Sequence, residues 1–129
     1  MTTLRTVRYE LRDLLATNLG IPVTASPARQ TVTTRSVFFG PRTGSRETQG
    51  GGDLCTFPVY VLLPDGDDAQ FDVLDDYIDG ASSVIDLIDG NPVLPCGAAV
   101  AVTGEWSEQQ VEIGGVTSLA CVFDVEARW

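Results

Sequence analysis

AAVAVTGEWSEQQVEIGGVTSLACVFDVEA, residues 98–127, is the stretch that decides the fold. Gly114-Gly115 near its centre is a two-residue turn signal, because the tight hairpin turns favour glycine at their central positions. After the turn, Leu119, Cys121, Phe123 and Val125 point one way, and Ala120, Val122, Asp124 and Glu126 the other. That period of two puts one face of the strand on a core. Residues 98–113 and 116–127 therefore predict a long antiparallel hairpin. Its apolar face needs helices to cover it.

Upstream, LCTFPVYVLL (54–63) supplies another strand, apolar on both faces in its second half. A strand covered on both sides is central and buried. Pro58 within it marks a bulge or irregularity, since proline cannot donate to a sheet ladder. TVTTRSVFF (31–39) is β-branched and aromatic and predicts a further strand. Between these two lies GPRTGSRETQGGGD, Gly40 to Asp53, which is Gly-rich and polar and reads as a long mobile loop. Its glycines are not followed by a Lys-Ser/Thr pair or a clear helix, so phosphate-loop templates fail.

Residues 3–19 predict a helix, with Leu4, Val7, Leu11, Leu14 and Leu15 on one stripe. Thr2 or Thr3 caps its start, and Gly20 and Pro22 end it. Arg5, Arg8 and Arg12 form a second stripe beside the apolar one, with Glu10 and Asp13 on the other flank. Residues 21–30, with Pro22 and Pro27, read as a connector. A second helix is expected within 65–79. Phe71, Leu74, Tyr77, Ile78 and Ala81 share one face, and Asp68, Asp72, Asp75, Asp76 and Asp79 the other. The opening Asp run is not a calcium loop. The sixth position from Asp65 is Gln70 instead of glycine, and the twelfth is Asp76 instead of glutamate. Residues 82–89 add a short helical segment. The expected whole is a single α+β domain over 1–129. It has an antiparallel sheet of about four strands, with two to three helices on one face.

Composition narrows function. The 129 residues include no histidine and no lysine; all eight basic residues are arginine. Without histidine the commonest acid–base group and metal ligand is missing, so no Ser/His/Asp or Cys/His set exists. Carboxylates are plentiful, but none sits in an apolar stretch that would split their pKa values. Cys55, Cys96 and Cys121 have the wrong number for a disulfide framework and no zinc spacing, so they are expected to be buried thiols. No enzyme activity, cofactor or metal is expected. Apolar runs fall short of the roughly 20 residues of a membrane span, and the N-terminus lacks a signal-peptide core. A soluble protein of the cytoplasm is expected.

The net charge of −10 is unevenly placed. Residues 1–46 carry +5 and residues 47–129 carry −15. Surface charge often confers only solubility, and a basic stem beside a core often just snorkels to water. Yet a basic third and an acidic remainder also outline something that sticks to copies of itself. Arg42, Arg46 and Glu47 in the Gly-rich segment are candidates for partner contact, ordering on assembly. The acidic whole repels nucleic acid.

Two stretches carry a resemblance: DGDDAQFDVLDDYIDGASSVIDLID (65–89) and EIGGVTSLACVFDVEA (112–127). With the element order around them, the chain resembles the tail terminator proteins of long-tailed, siphovirus-type actinobacterial bacteriophages. That resemblance implies a homohexameric ring at the neck of the virion, assembled in the host cytoplasm. Such a ring caps the tail tube, stops its polymerisation and presents a surface to the head-side stopper or connector. Genome DNA would pass through without specific binding. It implies contacts at residues 40–53 and at the hairpin, and no catalytic residue. In that setting the Arg5/Arg8/Arg12 edge is expected to meet Asp72, Asp75, Asp76 and Asp79 of the next copy. Another head–tail connector or a tail tube subunit is the near alternative. A small cellular ligand-binding domain, with a concave polar pocket, is the distant one.

Overall fold

The computed structural model describes residues 2–25, 35–46, 52–63, 70–113 and 116–129. Within them the chain is α+β. The first helix, α1 (Leu4–Leu19), starts where the Thr3 side chain accepts from the Thr6 amide at 3.3 Å. It stops at Gly20, whose φ of 68° is the left-handed cap that glycine adopts without strain. Six strands follow: β1 (Val23–Thr24), β2 (Ser36–Phe39), β3 (Thr43–Arg46), β4 (Asp53–Leu63), β5 (Ala99–Ile113) and β6 (Val116–Arg128). Helices α2 (Gln70–Ile78) and α3 (Val84–Asp89) lie between β4 and β5.

The sheet runs β1-β2-β4-β6-β5, with β3 also on β4. It corrects the expectation of about four antiparallel strands in two ways. It is larger, and it is mixed, because β1 runs parallel to β2. Two residues of β1 within an expected connector leave no periodic signal to read. The expected mobile loop at 40–53 is also corrected: Thr43–Arg46 pair antiparallel with Asp53–Thr56. Strand propensity there is low, but the free backbone edge of β4 supplies ladder partners, and tertiary context overrides propensity. Residues 47–51, Glu47 among them, lie outside the described residues. So do 31–34 of the expected first strand, 64–69 at the start of the expected second helix, and the Gly114-Gly115 turn.

β2 and β3 share one edge of β4, broken at Gly40–Arg42. Pro58 sits opposite that break. Its carbonyl accepts from the Gly40 amide at 2.8 Å. In a strand, a residue's N and C=O point the same way, so the donor that proline lacks faces the gap, where it costs least. The irregularity expected at Pro58 is this gap.

Alternation then builds the core. Cys55, Phe57, Val59, Val61 and Leu63 of β4 face the helices with Cys121, Phe123, Val125 and Ala127 of β6. Val7, Leu11 and Leu15 of α1, Leu74, Tyr77 and Ile78 of α2, and Val84 and Ile88 of α3 pack onto them. The other face holds a smaller cluster of Phe38, Leu62 and Ala120, flanked by Tyr60 and Val111. Phe38 and Tyr60 stack there with ring centroids 4.7 Å apart. β4 is thus central and apolar on both faces, as its composition predicts.

Candidate functional site

The arginine stripe follows from the register of α1. Val7, Leu11 and Leu15 are fully buried, so residues about 60–120° around the helix sit at the rim. Arg5 is exposed, while Arg8 and Arg12 are half-buried. The guanidinium carbons of Arg8 and Arg12 lie 4.9 and 4.6 Å from the centre of the Tyr9 ring. Such cation–π contacts fix long side chains at modest cost. Arg12 is also held by its neighbour Asp13, at 2.8 and 3.0 Å. The Arg8 Nε is buried and has no hydrogen-bond partner among the described residues. Arg8 and Arg12 are therefore held around Tyr9, with Arg12 partly neutralised, while Arg5 stands exposed at the end of the stripe.

The opposite flank of α1 is anchored. Glu10 accepts from the Cys96 amide at 2.7 Å, and the Thr2 hydroxyl donates to the Cys96 carbonyl at 2.9 Å. These bonds lock the helix to the connection before β5 and turn the arginines away from it.

Asp72, Asp75, Asp76 and Asp79 are all exposed on or just after α2. No ion pair engages them among the described residues. α3 contacts both α1 and α2, and the arginine stripe and the acidic face do not pair within one copy. The acidic face ends at a structured bend. The Ser83 hydroxyl donates to the Ile78 carbonyl at 2.8 Å and accepts from the Asp86 amide at 3.1 Å, joining the end of α2 to the start of α3.

Arg42 precedes β3 and Arg46 ends it, and both are exposed. Arg46 pairs with Asp53 at 3.1 Å, yet 79% of its side chain stays in solvent. A groove of about 540 Å³ separates β3 from the start of α1, with Thr2, Thr3, Arg42, Arg46, Asp53 and Trp129 among its walls. Burial raises the pKa of the Cys55 thiol in this wall, and the nearby Arg42 charge opposes the rise. Cys121 is pushed up to about 12, first by burial and then by the Glu108 charge. Cys96, half-buried, is raised as well, chiefly by burial. Among the described residues no three His, Cys, Asp or Glu side chains converge as a metal ion would need. No described helix is long and apolar enough to cross a membrane.

One surface escaped the sequence reading. From Glu105 to Gln110, and again at Glu112, every residue of β5 is exposed. Successive strand residues face opposite ways, so both faces of this run are open. The signal was present: TGEWSEQQ (103–110) is polar at both parities and lacks the alternation of β6.

Compared with known proteins, the chain matches no family model and no curated sequence.

Proposed function

We propose that this chain is a structural, non-catalytic assembly protein that forms a ring, most like a tail terminator of a long-tailed phage. In this reading six copies close on the end of the tail tube at the neck of the virion. One ring face stops addition of the tube subunit, and the other receives the head-side stopper. The observation that carries the reading is the sorting of charge by element. Arg5, Arg8 and Arg12 lie on α1, and Arg42 and Arg46 lie just before and at the end of β3. Among the described residues the exposed acids lie on or beside α2, α3, β5 and β6, apart from Asp13 on α1, which pairs with Arg12. A cyclic ring uses heterologous contacts, so each copy must carry two unlike patches that match. A basic flank in which Arg12 is held by Asp13, and an acidic face with no ion pair among the described residues, supply such patches.

The test is native mass spectrometry of the protein alone and with added tube protein. Wild type is expected as a closed oligomer in at least one condition. Arg5→Glu, Arg8→Glu and Arg12→Glu together are expected to weaken it, most at low salt where screening is least. A strict monomer in both conditions sinks the ring. Electron microscopy separates a ring from the stacked filaments of a tube subunit. The groove beside β3 favours a second reading, a ligand-binding domain. A small-molecule screen by thermal shift that stabilises the monomer would support that reading.

A further inference from the structure

We propose that the outer half of the β5–β6 hairpin is an arm, which one copy lays along β3 of the next. The proposal rests on the ring reading above and names the contact that closes the ring. β5 is the last strand in the sheet order, and beyond the bridge of Ala99 to Val93 its outer edge has no partner among the described residues. It spans 15 residues, and neither proline, lysine nor arginine interrupts it. Natural sheets usually blunt a long edge with such residues, because unpaired N–H and C=O groups recruit another strand. Here the devices are a register shift between Val102 and Trp106 and the charges of Glu105, Glu108 and Glu112, and the backbone edge beyond the shift is unpaired among the described residues. Apart from Val111, which packs beside the Phe38 cluster, every side chain from Glu105 to Glu112 is exposed, and the run's backbone pairs only with β6 among the described residues.

The receiving edge is β3, whose outer side is unpaired among the described residues. Three features match it to the arm. The first is direction: β5 runs parallel to β4 through β6, and β3 runs antiparallel to β4. Adding a second sheet edge to edge in the same orientation makes β5 and β3 antiparallel neighbours. The second is spacing. Arg42 and Arg46 stand four residues apart, as do Glu108 and Glu112. One antiparallel register therefore pairs Arg46 with Glu108 and Arg42 with Glu112 together. The third is facing. Arg46 is paired with Asp53, of the same parity as Cys55 on β4, and Glu108 is paired with Cys121. Cys55 and Cys121 both belong to the helix-side core, so Arg46, Glu108 and Glu112 fall on that face, and Arg42, one residue before β3, lies near enough to Cys55 for its charge to act on that thiol. In this register Phe38 would stand level with residue 116. The paired segment thus ends before β1 takes over the edge at Val37 and Phe38.

Cross-strand opposite charges favour such a pairing, and like charges oppose it. Three variants test it by sedimentation velocity at fixed concentration: Glu108→Arg with Glu112→Arg, Arg42→Glu with Arg46→Glu, and all four together. Each double reversal is expected to weaken self-association about tenfold or more, and the fourfold exchange to restore it. All four side chains are exposed. In wild type, amide exchange at 108–112 is expected to slow on assembly. A ring that forms unchanged in both double variants, with no slowing at 108–112, overturns the arm and leaves the ring standing. Loss in both without recovery in the fourfold exchange overturns this register. A wild-type monomer overturns arm and ring together.

Discussion

Gly40 lies under the ring of Tyr60, and a Cβ there would stand 2.5 Å from a ring carbon. Tyr60 cannot simply swing aside, because it stacks on Phe38. Gly40→Ala is expected to cost about 1–3 kcal/mol through overpacking, measured as a lower urea midpoint with unchanged slope. Cys121 gives a pH test. Its folded pKa of about 12 lies above the ordinary 9.0. The folded state therefore keeps a proton that the unfolded chain loses, and stability falls as pH rises from about 9 towards 12. Cys121→Ala is expected to flatten this fall in urea titrations between those values. The arginines of α1 teach a related lesson at this scale. Spacing located Arg5, Arg8 and Arg12, but not the Tyr9 ring shared by two of them, nor the Asp13 that holds Arg12. Those contacts depend on rotamers, which periodicity does not encode.

At the scale of elements, Ser83 carries a clear prediction. It is buried, it bonds the last turn of α2, and it caps α3. Ser83→Ala loses the cap and leaves the Ile78 carbonyl without that donor. The expected loss is about 1–3 kcal/mol, read by thermal or urea unfolding. Val→Ala at the nearby buried Val84 serves as a size control. The helices and the C-terminal hairpin were legible because each carries an apolar period long enough to register. Leu4 to Leu15 show the helical spacing, and Leu119 to Val125 the strand spacing. β1 and β3 were not legible. Two and four residues are too short for a period, and both are strands because a neighbour offers a backbone edge. The outer half of β5 was misjudged for the opposite reason. It belongs to the hairpin whose apolar face is expected on a core, yet of Glu105 to Glu112 only Val111 finds apolar neighbours, in the Phe38 cluster.

At the scale of the molecule, the basic elements and the acidic ones occupy separate parts of one chain with net charge −10. Self-association built on that separation is expected to weaken as salt rises from about 0.05 to 0.5 M, because the Debye length shrinks from above 10 Å to a few ångströms. Sedimentation velocity across that range checks it. A salt-insensitive oligomer would place the contact on apolar surface instead, with Phe71, 59% exposed, and Trp106, 46% exposed, as the residues to truncate. The candidate interface was legible in sequence only as charge. Which edges are open, and in which direction they run, required the strand order.

That strand order also bears on how the protein is made. β4 has β2 and β3 on one side and β6 on the other, and β6 is the last of the six in sequence. A growing chain thus completes β2, β3 and β4 long before the strand that fills the inner edge of β4 exists. Until then LCTFPVYVLL presents an apolar ladder to any other nascent copy, the kind of segment that aggregates during slow sheet formation. A chain ending before Val116 is expected in the insoluble fraction of expressing cells. A separately supplied 116–129 peptide is expected to rescue part of it when present during refolding.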